Sequence, residues 1–425
     1  MTNQGKLRYI LIVGTLLAVL ISSVWMSASA QSWTGNLDPD TAFYVAKPNH
    51  GAIEQMADLI SSGDKANAYL IEEMIDTPQS VWFTGGTPQR VRQDVKNTVQ
   101  RATGKGTVPV LVAYNVPFRD CSQYSAGGAQ NVQEYLAWID GFAAGIGDSE
   151  AVVILEPDGL GIIPYNVDIN GNLEWCQPAE ADPATAASDR YLALNGALNR
   201  LLEQPNVYVY LDATHSRWLG VGDVAQRLVR AGVQRATGFF LNVSNYQPTE
   251  HLEKYGTWIS KCIWFATDPG SWGNGHYSWC ASQYYPANVD DFSTWTLTDQ
   301  WYTDNVESQT WVPYPGNAGL TDFVIDTGRN GQGRWIPPTD LPPGDPQDWC
   351  NPPDRGLGYP PTANTGEPLV DAYLWVKIPG ESDGQCYRWT TGPLDPVRGV
   401  EDPPAGKWFP DMALELVQNA NPPLP

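Results

Sequence analysis

Five aspartates in this chain each follow closely on a short apolar run: Asp120, Asp158, Asp212, Asp326 and Asp383. The sharpest case is AVVILEPDGL at residues 151–160, where an unbroken apolar run gives way to Glu156, Pro157 and Asp158. Pro157 has no N–H and disfavours helix at the residue before it, so a strand must end about there. One aspartate after a strand is ordinary turn chemistry. Five, several with Tyr, Trp or Arg nearby, are better explained by a shared acidic cleft. Crowded carboxyls in apolar surroundings keep one of their number protonated near neutral pH. A protonated carboxyl facing an ionised one is what hydrolysis of a glycosidic bond needs. Asp158, on the most apolar run, is the natural proton donor.

The elements that must carry these residues alternate. Continuous apolar stretches read as strands buried on both faces at 108–114 (VPVLVAY), 151–155, 207–211 (VYVYL), 238–243 (GFFLNV), 323–325 and 372–378 (AYLWVKI), with 41–46 (TAFYVA) as the expected first strand. Helices are expected at 89–103, 133–146, about 186–203, about 221–231 and about 410–418, where Pro410 suits a first turn. Alternation of this kind predicts a parallel α/β sheet, most simply a β/α barrel, with all five aspartates on its C-terminal rim. The stretch 244–319 reads as a long irregular insertion and 337–361 as a Pro-rich loop, both available to roof that rim.

Composition narrows the partners. Lys6 and Arg8 precede an apolar run from Tyr9 to Val24, and Ala28-Ser29-Ala30 forms a small-residue cleavage site. Residues 1–30 are therefore read as an export signal, with an uncleaved anchor as the alternative, and 31–425 as a single secreted catalytic domain. Without Lys6 and Arg8 the formal charge moves from −22 to −24, which argues against nucleic acid and leaves a neutral polymer such as a carbohydrate as a fitting partner. Eighteen tryptophans supply both core and, where exposed in a cleft, faces on which sugars stack. All six cysteines lie beyond the signal, and three disulfides are expected, with 15 pairings open. There is no CxxC pair, GxSxG, P-loop or calcium-loop spacing, so neither cofactor nor metal is expected. After signal cleavage no membrane partner is expected, and the protein is read as a monomer.

The stretches VAYNVPFRDC, ILEPDGLG, YLDATHSRWLG, FVIDTGRNG, DWCNPPDRGLGYPPTANTG and AYLWVKIPGESDG, in that order, give the chain a resemblance to the family 6 glycoside hydrolases, the inverting cellulases. The resemblance implies a distorted barrel of fewer than eight parallel strands, with long loops over its C-terminal rim, acting on β-1,4-glucan. It implies Asp158 as general acid, Asp120 as the neighbour that keeps the acid protonated and assists the transition state, Asp383 as candidate base, and Tyr114 beside the distorted sugar. It places Asp212, His215, Trp218, Trp349, Lys377 and Glu381 along the substrate cleft. It implies the disulfides Cys121–Cys176 and Cys350–Cys386, leaving Cys262 for Cys280. Simpler roles stand beside these: Asp212 and Asp326 could pair with Arg217 or Arg329, Lys377 with Glu381, and His215 could be scaffold. The sequence departs from the family at Ala126, where a serine helps hold a water, with Ser125 just before it. Stapled long loops favour a roofed tunnel and exo-acting release of cellobiose. An open-cleft endoglucanase and a non-catalytic glucan-binding protein are the alternatives.

Overall fold

The computed structural model describes residues 37–425 except 311, 340, 342–346, 389 and 391; the expected export signal lies outside the described residues. Two helices come first, α1 (His50–Ser62) and α2 (Lys65–Asp76), followed by β1 (Val81–Phe83) and α3 (Pro88–Thr103). Alternation then continues through β2 (Val110–Ala113), α4 (Val132–Ile146), β3 (Ala151–Leu155), α5 (Ala186–Leu201), β4 (Val207–Asp212), α6 (Val221–Ala231) and β5 (Gly238–Leu241). The chain ends with α7 (Thr249–Thr267), α8 (Thr296–Tyr302), β6 (Asp322–Asp326), β7 (Val370–Leu374) and α9 (Pro410–Gln418). Local chemistry sets the helix starts. Thr87 accepts from the Arg90 N–H with Pro88 in the first turn, and Asn131 accepts from the Glu134 N–H at 2.9 Å.

The seven strands are all parallel and lie in sequence order, as right-handed β–α–β crossovers produce. Register explains why each run is apolar throughout. Val112, Ile154 and Tyr210 are paired neighbours in one row across the sheet and belong to the core inside the curl. Their alternates Leu111, Val153 and Val209 belong to the separate core under the helices. Each buried side chain of this size contributes about 1.5–3 kcal/mol, so neither face can turn polar. Between β1 and β7 no ladder forms among the described residues. The Ser80 N–H bonds the Trp375 carbonyl at 3.0 Å and the Trp82 indole bonds that of Val376 at 2.8 Å. Ile71, Met74, Trp375, Phe409, Met412 and Leu416, from α2, α9 and the chain near them, form a third core beside this seam.

Two expectations need correction. The 41–46 stretch is not a strand of the sheet: only Phe43 bridges to Val108 there. It runs past the start of β2, and the first strand is Val81–Phe83, too short for periodicity to reveal. Nor is 244–319 irregular throughout. It contains α7, whose Trp258, Cys262 and Phe265 join Trp295 and Tyr302 in the outer core. Cys262–Cys280 staples that layer outside the sheet, while residues 283–290 reach the loop after β4, where the Tyr284 hydroxyl donates to the Trp218 carbonyl at 3.2 Å and Arg217 pairs with Asp290.

Candidate active site

The strand ends place the predicted aspartates on one rim, and the backbone there is unusual. Asp120, Cys121, Glu156, Asp158, Thr214, Asn242, Ser244 and Asn351 all have positive φ. Left-handed residues other than glycine cost about 1–3 kcal/mol each, and such strain collects where a side chain must be aimed.

Asp158 follows β3 on a loop held from three sides. Buried Asp212, at the end of β4, accepts from the N–H groups of Leu160 (3.1 Å), Gly161 (3.0 Å) and Thr214 (3.0 Å). Buried Arg227 donates to the Leu160 carbonyl at 2.9 Å while paired with Asp223 and Glu174. Arg190 donates to the Gly159 and Ile162 carbonyls. Burial, then the charges of Asp212 and Asp120, push the Asp158 carboxyl far above the usual carboxylate range, with Arg190 opposing. Asp120 is pushed up to about 6 by burial, against the Ser125 N–H that it accepts at 2.6 Å and the Arg119 charge. Ser125 thus meets Asp120 through its backbone. Ser125 and Ala126 both offer their carbonyls to Arg119. Tyr114, whose ring lies 4.6 Å from the Arg119 guanidinium and edge-on to Trp82 at 5.4 Å, has its phenol raised by burial and by Asp158 and Asp120.

A second cluster surrounds Asp383, after β7. Its Oδ2 accepts from Arg329 Nη1 (2.9 Å), the Asn351 N–H (3.0 Å) and the Tyr246 hydroxyl (3.3 Å), while Lys377 Nζ lies 3.7 Å from Oδ1. Burial alone would raise this carboxyl, but Arg329, Lys377 and these hydrogen bonds hold it below the usual range. Asn351 returns the contact, accepting the Asp383 N–H at 2.7 Å. The two clusters meet through Tyr124, four residues after Asp120. Its hydroxyl donates to Gln347 Oε1 at 3.0 Å and accepts the Tyr387 N–H at 3.2 Å, and its ring lies 6.0 Å from that of Trp349. Gly384 must be glycine here: its φ is +142°, and a Cβ would come 2.5 Å from Tyr124 Cβ.

The remaining predicted residues divide. His215 is half-buried beside Trp218, ring centroids 5.7 Å apart. Its Nδ1 accepts the Arg217 N–H at 3.2 Å, which leaves the proton on Nε2, and burial followed by the Arg217 charge lowers it to about 3. Both effects favour the neutral ring, with Nε2 as its donor. Trp218 lies against Gly161, where a Cβ would come 2.8 Å from its ring. Glu381 is half-buried and accepts from Asn49 at 2.8 Å, and Lys377 turns to Asp383 and the Ser382 carbonyl instead of pairing with it. Asp212 and Asp326 are not ion-paired with Arg217 and Arg329. Both are buried and take backbone N–H groups, Asp326 from Gly328, Val376 and Lys377. Arg217 goes to Asp290 and Arg329 to Asp383. A buried carboxylate this rich in N–H donors braces the loops around it.

Sequence reasoning missed Trp82, on the unrecognised β1. It lines a cavity of about 320 Å³ at the seam together with Tyr44, Lys47 and Glu381. It also passed over Glu156, whose oxygens accept the Asn115 N–H (2.9 Å) and the Val116 N–H (3.0 Å) beneath the Asp120 loop, and which burial raises to about 7. All three expected disulfides form: Cys121–Cys176, Cys262–Cys280 and Cys350–Cys386. Among the described residues, Cys386, Asp395 and Asp402 are the one group whose ligand-type atoms converge. The Cys386 sulfur is committed to its disulfide and Asp395 to Arg388, 2.9 Å away.

Known proteins are similar to this chain in sequence and fold. Residues 38–420 match the model of glycosyl hydrolases family 6. Endoglucanase A of Cellulomonas fimi is 30% identical over 383 residues, covering 90% of this chain and 62% of its own length, so the chain spans about three fifths of that relative. The 1,4-beta-D-glucan cellobiohydrolase CEL6B of Podospora anserina is 28% identical over 85% of this chain and 77% of its own. Among solved structures, the endoglucanase Cel6 from Mycobacterium tuberculosis, in complex with methyl-cellobiosyl-4-deoxy-4-thio-beta-D-cellobioside, is similar at 31% identity and a TM-score of 0.62, covering 89% of this chain and 97% of its own. With the family model matching nearly its whole described length, the chain belongs to the glycosyl hydrolases of family 6.

Proposed function

We propose that this protein is a secreted cellulase that hydrolyses β-1,4-glucosidic bonds with inversion, releasing cellobiose from chain ends. The observation that carries the chemistry is the pairing of opposite carboxyl environments on one rim. Asp158 is held protonated by burial and two carboxylate neighbours, and Asp383 is held ionised by Arg329 and Lys377. Asp158 donates its proton to the leaving oxygen. Asp120 holds the acid's proton and stabilises the positive charge that develops on the sugar. A water attacks the opposite face, and Asp383 receives its proton at Oδ1, since Oδ2 is already engaged by three donors. Trp218, Trp349 and Trp82 offer ring faces to sugars, and His215 a neutral Nε2 donor. Glu381 and Lys377 lie beside Asp383 in the chain.

Support for exo action comes from the bridge at Tyr124. The loop after β2 and the loops flanking β7 join there, so the segments carrying Asp120 and Asp383 are tied together. An open-cleft endoglucanase is the second reading, favoured by relatives named endoglucanase at 30–31% identity and by α7, the longest helix of the insertion, packing outside the sheet. Cleavage at residue 30, a single domain from 31 to 425 and a monomer complete the proposal. No described helix is long and apolar enough to cross a membrane.

The test combines two measurements. Product analysis on cellotetraose, resolving anomers, should give cellobiose with an inverted anomeric centre; retention would overturn the chemistry. A rapid early fall in the viscosity of carboxymethylcellulose, before much reducing sugar appears, would overturn the exo mode. Asp158→Asn should lower kcat by about 10²–10⁴-fold while cello-oligosaccharide binding survives.

A further inference from the structure

The acid's loop and the Asp120 loop are joined from behind by one buried side chain. Arg190 of α5, 4% exposed, donates from Nη1 to the carbonyls of Gly159 and Ile162, both at 2.7 Å, and from Nη2 to that of Pro117 at 2.9 Å. Gly159 follows Asp158 directly, and the Ile162 N–H donates to the Asp158 carbonyl at 2.7 Å. Pro117 stands three residues before Asp120. Glu156 grips the same Asp120 loop two residues further back, through the N–H groups of Asn115 and Val116. A guanidinium loses much of its hydration when buried, and here its hydrogen bonds go to three backbone carbonyls of two loops.

We infer that Arg190 is a positioning residue for proton donation, its planar fork fixing Asp158 relative to Asp120 by locking their two loops together. This rests on reading Asp158 as the general acid. The groups facing Arg190 are Glu156, Tyr135, Tyr191 and Asp212; those facing Asp158 are Asp212, Asp120, Tyr114 and Arg190 itself. Among them Arg190 is the cation, so its charge also limits how firmly the acid keeps its proton. Fork and charge can be separated. Lysine keeps the charge but cannot reach three carbonyls in one plane, and methionine keeps neither.

The experiment uses R190K, R190M and D158N on cellotetraose and on dinitrophenyl cellobioside, whose leaving group needs no proton. R190K should lose about 10–100-fold in kcat on cellotetraose with KM within about threefold, and recover to within about threefold of the parent on the activated substrate. Its pH profile should keep the basic limb in place, while that of R190M moves to higher pH as the acid loses its facing cation. Melting curves and calorimetric cellotetraose binding establish that each variant is folded; if R190M is not, R190K decides alone. A folded R190K with parental kcat on cellotetraose, or with equal losses on both substrates, overturns the inference. Parental activity of D158N on cellotetraose would instead overturn the assignment of the acid, whatever Arg190 does.

Discussion

Replacing Arg329 with methionine tests how the charged half of the site is maintained. Arg329 is 1% exposed and lies 2.9 Å from Asp383 Oδ2. The substitution leaves a buried carboxylate with the Asn351 N–H, the Tyr246 hydroxyl and Lys377 at 3.7 Å. Removing one member of a buried pair costs about 3–5 kcal/mol, and the surviving lysine places this case near about 3. With roughly 390 residues at about 2.1 cal/mol/K each, the unfolding entropy is about 0.8 kcal/mol/K, so Tm should fall by about 4 °C at neutral pH. The native pKa of Asp383 is depressed, so its contribution is full above the unfolded carboxylate value and is lost as pH falls through the native one. The gap between parent and variant should therefore narrow below about pH 4. Loss of the arginine also raises the Asp383 pKa, so the acidic limb of the kcat/KM profile should move to higher pH. Calorimetry across pH and initial rates on cellotetraose read both effects. An unchanged Tm at neutral pH, or a gap that widens on acidification, refutes the electrostatic account; an unmoved acidic limb refutes Asp383 as the proton acceptor.

Other expectations follow from the same geometry. The double variant C262S/C280S opens an 18-residue loop and should cost about 3 kcal/mol, or about 4 °C in Tm, with kcat unchanged because the bridge staples the outer helix layer. Trp218→Ala should raise KM for cello-oligosaccharides by about tenfold with a smaller change in kcat, as loss of a stacking face predicts; an unchanged KM would remove Trp218 from the sugar path. Tyr124→Ala breaks the bridge to Gln347 and Tyr387 and should raise activity on soluble substituted cellulose relative to crystalline cellulose. If the ratio stays fixed, that bridge does not govern access.

The strands from β2 to β7 were legible because a parallel strand buried on both faces must be apolar at every position, and that leaves a continuous run. The aspartates were legible for a related reason: a carboxyl that ends such a run stands out against it. β1 was not, since three residues carry no period, and Trp82 was lost with it. α7 was obscured by its aromatics and its glycine, although Leu252, Tyr255, Ile259 and Ile263 do keep helical spacing.

Residue types and order alone thus determined the parallel alternation, the acidic rim and the family. They suggested which aspartate does what, but not the donors and charges that surround each one. Asp158 and Asp212 both follow apolar strands, yet Asp212 takes three backbone N–H groups while Asp158 is buried beside neighbouring carboxylates. Asp326 and Asp383 divide in the same way, one bracing loops and the other paired with Arg329. A carboxyl's role follows from the donors, charges and solvent within a few ångströms of it. Those come from segments tens to hundreds of residues apart, so only the folded chain brings them into view.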